Sequence, residues 1–152
     1  MYKKLWTTIV ILALIVIGMV YKFIIQGSAH LAEDGRMAVE LTTSERTLVL
    51  SEMRLFLETI QEVAEAMGNN TLPQTTPALK RVGAIARDNV PASLMGKLPI
   101  SFKQLGLDTH DKFDELAELA ASGNQAQATQ KLGQLLTNCI ACHAAYKIEI
   151  SE

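Results

Sequence analysis

Cysteine is absent from nearly all of the chain: none precedes Cys139 and none follows Cys142. A framework of disulfides between distant loops is therefore excluded, and any oxidised pair would be local. Positive charge is also scarce. Lys and Arg total 14 against 16 Asp and Glu, for a formal net charge of −2, whereas a nucleic-acid binder needs a clustered basic surface to displace counterions. That class is excluded. No stretch alternates with period two for long enough to suggest a sheet, and there is no internal repeat or low-complexity tract. A chain of 152 residues suits one domain plus an extra segment.

What is present begins with MYKKLWTTIVILALIVIGMVYKFIIQGSAH. Lys3 and Lys4 precede an uncharged apolar run from Leu5 to Tyr21, and Phe23 to Ile25 extend it beyond Lys22. Residues 5–25 thus approach the ~20 residues that span a bilayer. The segment reads as an export signal with two competing fates. Small Gly27 and Ala29 suit cleavage after Ala29, which would leave a soluble periplasmic product. The apolar run is longer than the cleavable h-region of about 7 to 15 residues, which favours a retained anchor in a bacterial inner membrane. In both cases Lys3 and Lys4 stay cytoplasmic and everything after Ala29 lies across the membrane. The organisation expected is a signal anchor over 1–29, a linker or frayed helical lead-in over 30–41, and a domain over 42–152. Without residues 1–29, 11 basic residues remain against 16 acidic ones.

Helical periodicity dominates the domain. Thr42 and Glu45 match a capping box ahead of Val49, Met53, Phe56, Ile60, Val63 and Met67, which recur at spacings of four and three. Leu50, Leu57 and Ala64 add a flanking row on the same side. The pattern predicts a helix over 43–67, stopped by Gly68, Asn69 and Asn70. Thr76 and Pro77 predict the N-cap and first residue of a short second helix, with Leu79, Val82, Gly83 and Ala86 on its apolar face. Pro91, Gly96 and Pro99 predict a long connection over 88–100. A third helix is expected from near Ser101 to Gly123, with Phe102, Leu105, Phe113, Leu116 and Ala120 inward and its continuity at Gly106 left open. A fourth follows from Asn124, where Ala128, Leu132, Leu135, Cys139, Cys142 and Tyr146 repeat at four and three. Four such segments with mostly short links predict an all-α antiparallel four-helix bundle.

In TNCIACHAAYK, Cys139, Cys142 and His143 form Cys-x-x-Cys-His, the attachment sequence of c-type haem. Positions i, i+3 and i+4 share one face of a helix, so both sulfurs can bond the vinyl groups of one porphyrin while the imidazole reaches iron. Two other chemistries use similar residues. A thioredoxin-type dithiol wants its cysteines at the start of a helix that follows a strand. Structural zinc needs four ligands, and His30 or His110 would have to supply the fourth. An all-helical chain with the motif deep in its last helix favours one covalent haem c, with His143 as the proximal iron ligand.

The lateness of the motif matters, because no methionine follows His143 to supply a sixth ligand from downstream. An export segment, four helices, and CxxCH on the last of them, followed by Tyr146 and Lys147 in CIACHAAYK, resemble the class II cytochromes c, the cytochrome c prime family, over residues 40–150. The resemblance implies a one-electron carrier rather than an enzyme, and a homodimer through the first two helices. Family members divide into five-coordinate proteins, whose open distal face admits NO or CO, and six-coordinate proteins with a first-helix methionine on iron. Position along the first helix carries that distal role onto Met53, where a thioether opposite histidine raises the reduction potential. Read without the family, Met53 is flexible core filler.

His110 is the alternative distal ligand. It shares a helix face with Gly106, Phe113 and Ala117, although Asp108 and Asp111 beside it suit a solvated histidine. Met37 precedes the capping box, His30 falls in the linker, Met67 lies near a helix end and Met95 in a loop, so each is a weaker candidate. Arg46, Arg54 and Lys147 are candidates to pair the haem propionates, and each reads equally as a solvated charge. Gly83 serves close backbone approach or tight helix packing. The partners expected are redox proteins, membrane oxidoreductases above all, because an anchor raises the local concentration beside them. Two other functions fit the same residues: a gas-binding protein with a five-coordinate iron, and a haem-bearing subunit that holds a larger membrane complex together.

Overall fold

The apolar run at the amino terminus forms one unbroken helix. In a computed structural model describing residues 2–151, α1 (Tyr2–Val20) continues through a π-helical turn, Tyr21–Gln26. No residue of either is buried. A long apolar helix with no buried residue is suited to a lipid surround.

Residues 30–41 are not a linker. Ala29–Leu31 (β1) and Met37–Leu41 (β2) form an antiparallel hairpin with Ala29 opposite Val39, closed by a turn in which Arg36 chelates the Asp34 carboxylate at 2.7 and 3.0 Å. A third strand, Tyr146–Ile150 (β3), runs parallel to β2 with Met37 opposite Tyr146 and Leu41 opposite Ile150. The expectation of a chain without a sheet is corrected here. Ala38, Val39 and Leu41 are fully buried, and Tyr146 and Ile148 pack on the same core. Runs of five residues are too short for an alternating pattern to stand out from helical spacing.

The helices follow their sequence signals closely. α2 (Thr43–Asn69) opens on the expected capping box: Glu45 N–H donates to Thr42 Oγ1, and Thr42 N–H donates to Glu45 Oε2 at 2.9 Å. It ends at Asn70, whose left-handed φ of 58° closes the last turn. Val49, Phe56 and Val63 are buried as expected, whereas in the flanking row Leu50 is half-buried and Leu57 and Ala64 are exposed, Leu57 by 66%. Thr59 and Ala66 take the inward places instead.

After a 3₁₀ turn, Leu72–Thr75, α3 (Thr76–Val82) starts one residue earlier than expected, with Thr75 at its N-cap. Gly83 then separates it from α4 (Ala84–Arg87). The connection beyond contains a further helix, α5 (Ala92–Lys97). α6 (Ile100–Ala121) passes through Gly106 without a break, and α7 (Gln125–Ala145) begins where Asn124 accepts from Gln127 N–H. Tyr146 is extended (φ −129°, ψ 152°), so it leaves the helical stripe on which it was expected and starts β3.

Two apolar cores result. Phe56, Val63, Leu79, Val82, Phe113, Leu116 and Leu135 join α2, α3, α6 and α7. Val39, Leu41, Val49, Leu94, Leu98 and Phe102 lie under the sheet. Met53 packs against both, Cys139 against the first and Cys142 against the second. The seam between the cores is where the candidate site lies.

Candidate cofactor site

At that seam a cleft opens in two compartments that share Val49, Met53, Phe102, Cys142 and His143 as walls. The inner compartment, about 190 Å³, is lined chiefly by apolar side chains, together with Cys139, His110 and the charged Glu52, Arg87 and Lys103. The outer one, about 270 Å³, adds Arg36, Arg46, Tyr146 and Lys147. An apolar interior with a cationic mouth matches an amphiphilic ligand that carries carboxylates at one edge.

Cys139, Cys142 and His143 occupy the last two turns of α7 and all line the cleft, His143 from an exposed position. Both cysteines are free and half-buried. Burial pushes both thiols above their usual range, and at Cys142 the neighbouring Cys139 adds to the effect. The carboxyl end of a helix further disfavours a thiolate. A redox dithiol requires the opposite, a depressed pKa at a helix amino end, so the geometry opposes a thioredoxin-type role. Among the described residues no group of three His, Cys, Asp or Glu side chains comes together to hold a metal ion. Structural zinc takes four such ligands, whereas thioether attachment of a porphyrin would use two sulfurs and one axial imidazole.

The motif is held in place from behind. Asn138, buried beside Cys139, donates to Asp108 Oδ2 at 2.7 Å and to Thr109 Oγ1 at 3.3 Å. The Asp108 carboxyl is held below its usual range by Lys112 first and Asn138 second. From the other side, Tyr146 stacks edge-on against Phe102 at 5.1 Å and shares a hydrogen bond with the Ser101 hydroxyl. α6 therefore grips both ends of the segment that carries the motif.

Both candidates for a distal ligand reach the cleft. Met53 lines each compartment and is half-buried. His110, for which the sequence left an inward and a solvated place open, is 5% exposed. Its Nδ1 lies 2.7 Å from Val82 O, which can only accept, so Nδ1 carries the proton. Nε2 is left 3.6 Å from Glu52 Oε1, and the ring sits edge-on to Phe56. Burial raises the Glu52 carboxyl above its usual range, partly offset by His110. Glu52 was not legible beforehand, and the choice between the two places for His110 was not either, because flanking aspartates say nothing about what packs over the opposite helix face.

The three candidate propionate partners separate. Arg46 and Lys147 line the outer compartment. Arg54, next to Met53 in sequence, is exposed, and its guanidinium reaches Ser51 Oγ at 3.4 Å; it lines neither compartment. Arg54 follows Met53 by about 100° around α2, on the side turned to solvent. Arg36 joins the outer compartment unforeseen, brought there by the hairpin. Lys147 is paired with Glu149 at 2.7 Å, and Arg36 with Asp34. Arg46 has no carboxylate partner among the described residues. Elsewhere, His30 bridges Glu40 and Glu149 across the sheet, and Met95, on α5 rather than a loop, joins the inner wall. Gly83 faces the Asp114 carboxylate, where a Cβ would lie 2.7 Å from Oδ2 and nearer still to the rest of the group.

Comparison with family models, with curated proteins and with solved structures finds no match for this chain.

Proposed function

We propose that this protein is a membrane-anchored c-type cytochrome that carries one covalent haem c and passes single electrons between redox partners. The observation that carries the reading is the meeting of Cys139, Cys142 and His143, on the last turns of α7, with Met53 of α2 at one apolar cleft. Haem bound here would supply an iron that alternates between ferric and ferrous states, holding one electron at a time. Cys139 and Cys142 hold the macrocycle, His143 is the proximal ligand and Met53 the distal one. Arg46, half-buried and without a carboxylate of its own, meets a propionate at the mouth, with Lys147 beside it. Phe56, Leu94, Leu98 and Phe102 keep water from the interior.

In this reading α2, α3 with α4, α6 and α7 make up the four-helix bundle of the cytochrome c prime kind, and the sheet caps one end. Retention of the anchor is supported by its joint with the domain. Gly27 is buried and Ala29 is paired with Val39, so cleavage after Ala29 would cut a strand that belongs to the fold. A second reading concerns the distal ligand only. A metal-binding histidine commonly donates its other ring N–H to a backbone carbonyl, and His110 does so to Val82 O, which favours a bis-histidine iron.

Maturation in a host that attaches haem c is expected to give a red chain heavier by one haem, with low-spin bands and a near-infrared methionine-to-iron absorption. Met53→Ala then loses that absorption. Should Met53→Ala be silent and His110→Ala convert the spectrum, the distal ligand is His110. A high-spin spectrum that shifts with CO points instead to gas binding, and a colourless chain with both thiols free to alkylate overturns the proposal.

A further inference from the structure

We propose that the membrane anchor is locked to the domain at a rigid joint rather than tethered, so that the α5 and early α6 segment rests on the lipid surface at a fixed orientation. The inference rests on reading residues 2–26 as a retained membrane helix and concerns what that helix does to the domain.

Gly27 ends the helix with φ +64° and ψ −152°, its N–H donating to Lys22 O at 2.9 Å. That conformation is open to glycine almost alone. A Cβ at this position would also lie 2.7 Å from the Leu98 carbonyl carbon, and closer still to Lys97 O. Backbone cannot swing aside as a side chain can. One residue on, Ser28 N–H donates to Lys97 O at 2.6 Å, and Ser28 O accepts from Glu40 N–H at 2.8 Å. The chain is thus paired on both sides immediately after the anchor, with no slack between.

Two lysines complete the joint. Lys103 Nζ donates to Phe23 O and Ile24 O, each at 3.3 Å, meeting the free carbonyls at the negative end of the anchor helix. Lys97, whose carbonyl receives Ser28, sends its ammonium to Glu45 Oε2 at 2.6 Å, the carboxylate that caps α2. The helix bearing Met53 is thereby fastened to the same point as the anchor. The elements in contact with the anchor's last turn are α5 and α6. Between Asp88 and Asp108 the sequence holds no acidic residue but does hold Lys97 and Lys103, a segment that anionic phospholipid headgroups do not repel. Leu94, Met95, Leu98 and Phe102 of this segment form a wall of the inner cleft. The cofactor site is therefore held beside the bilayer, facing a partner embedded in the same membrane.

The test uses full-length haem-loaded protein in phosphatidylglycerol-containing nanodiscs, with nitroxides at T8C and S122C, one on the anchor and one at the far end of α6. A single narrow distance distribution is expected. Inserting Gly-Ser-Gly-Ser after Gln26 should broaden it about twofold, as a flexible linker would, and Lys103→Gln should broaden it in part. A label at S93C on α5 should relax faster when a paramagnetic chelate is placed on the headgroups, and less so after the insertion. A wild-type distribution as broad as that of the insertion variant overturns the proposal, as does an S93C label insensitive to the headgroup chelate. Intact mass and haem absorbance of the same sample report separately on anchor retention and cofactor, so failure of either reading is not mistaken for failure of the joint.

Discussion

Arg46 and Arg54 differ only in where helical phase and tertiary neighbours put them, and that decides which one would bear on the proposed haem. A cation at the cleft stabilises the ferrous state, which carries one positive charge fewer. Arg46→Gln is expected to lower the midpoint potential in a redox titration, whereas Arg54→Gln should leave it unchanged; equal effects would remove Arg46 from the mouth. Glu45 offers a second test at this scale. Its pKa is lowered from 4.5 to about 2, first by the hydrogen bond from Lys97 and then by Thr42 N–H. A carboxyl depressed on folding stabilises the native state fully above its unfolded pKa, and the contribution fades as pH falls from about 4.5 toward 2. Glu45→Gln keeps a box acceptor at N3 but loses the charge facing Lys97, so it should destabilise at pH 7 by about 0.5 to 1 kcal/mol, and the gap from wild type in urea melts should close as pH approaches 2.

Among the elements, β3 was hidden because its first residue also satisfies the helical repeat of α7. Tyr146 follows Cys142 by four, which is the spacing that suggested a longer helix, yet the alternation of Tyr146, Ile148 and Ile150 with Lys147 and Glu149 becomes a strand once β2 is alongside. Ile148→Lys should cost about 2 kcal/mol by removing apolar burial, seen as a lower urea midpoint with an unchanged slope. The break between α3 and α4 is the other element-level test. Asp114 Oδ2 accepts from Ala84 N–H at 2.8 Å, in the space that a side chain at Gly83 would fill. Gly83→Ala should lose that bond and cost about 1 to 2 kcal/mol, while Gly106→Ala, with no atom within 4 Å of its Cβ, should be neutral or stabilising.

For the whole molecule, the cleft lies where two cores meet, and among the described residues Met53 alone packs against both. A group filling that seam would weld the cores into one cooperative unit. The haem-free variant C139S/C142S should therefore melt in a broader transition than the loaded protein, and at lower temperature, by about 4 °C for each kcal/mol that the filled seam contributes. Calorimetry of the two forms checks this: a single transition of equal sharpness in both would show the cores already joined without the cofactor. The sequence alone determined the apolar amino-terminal helix, the phase of α2, α6 and α7, and the shared face of Cys139, Cys142 and His143, since each is set by composition or spacing within one helix. Only the tertiary structure decided that residues 29–41 pair as strands with the chain's far end, that His110 is buried, and that Arg46 rather than Arg54 meets the cleft. Strand pairing and burial depend on neighbours remote in sequence, and local spacing carries no record of them.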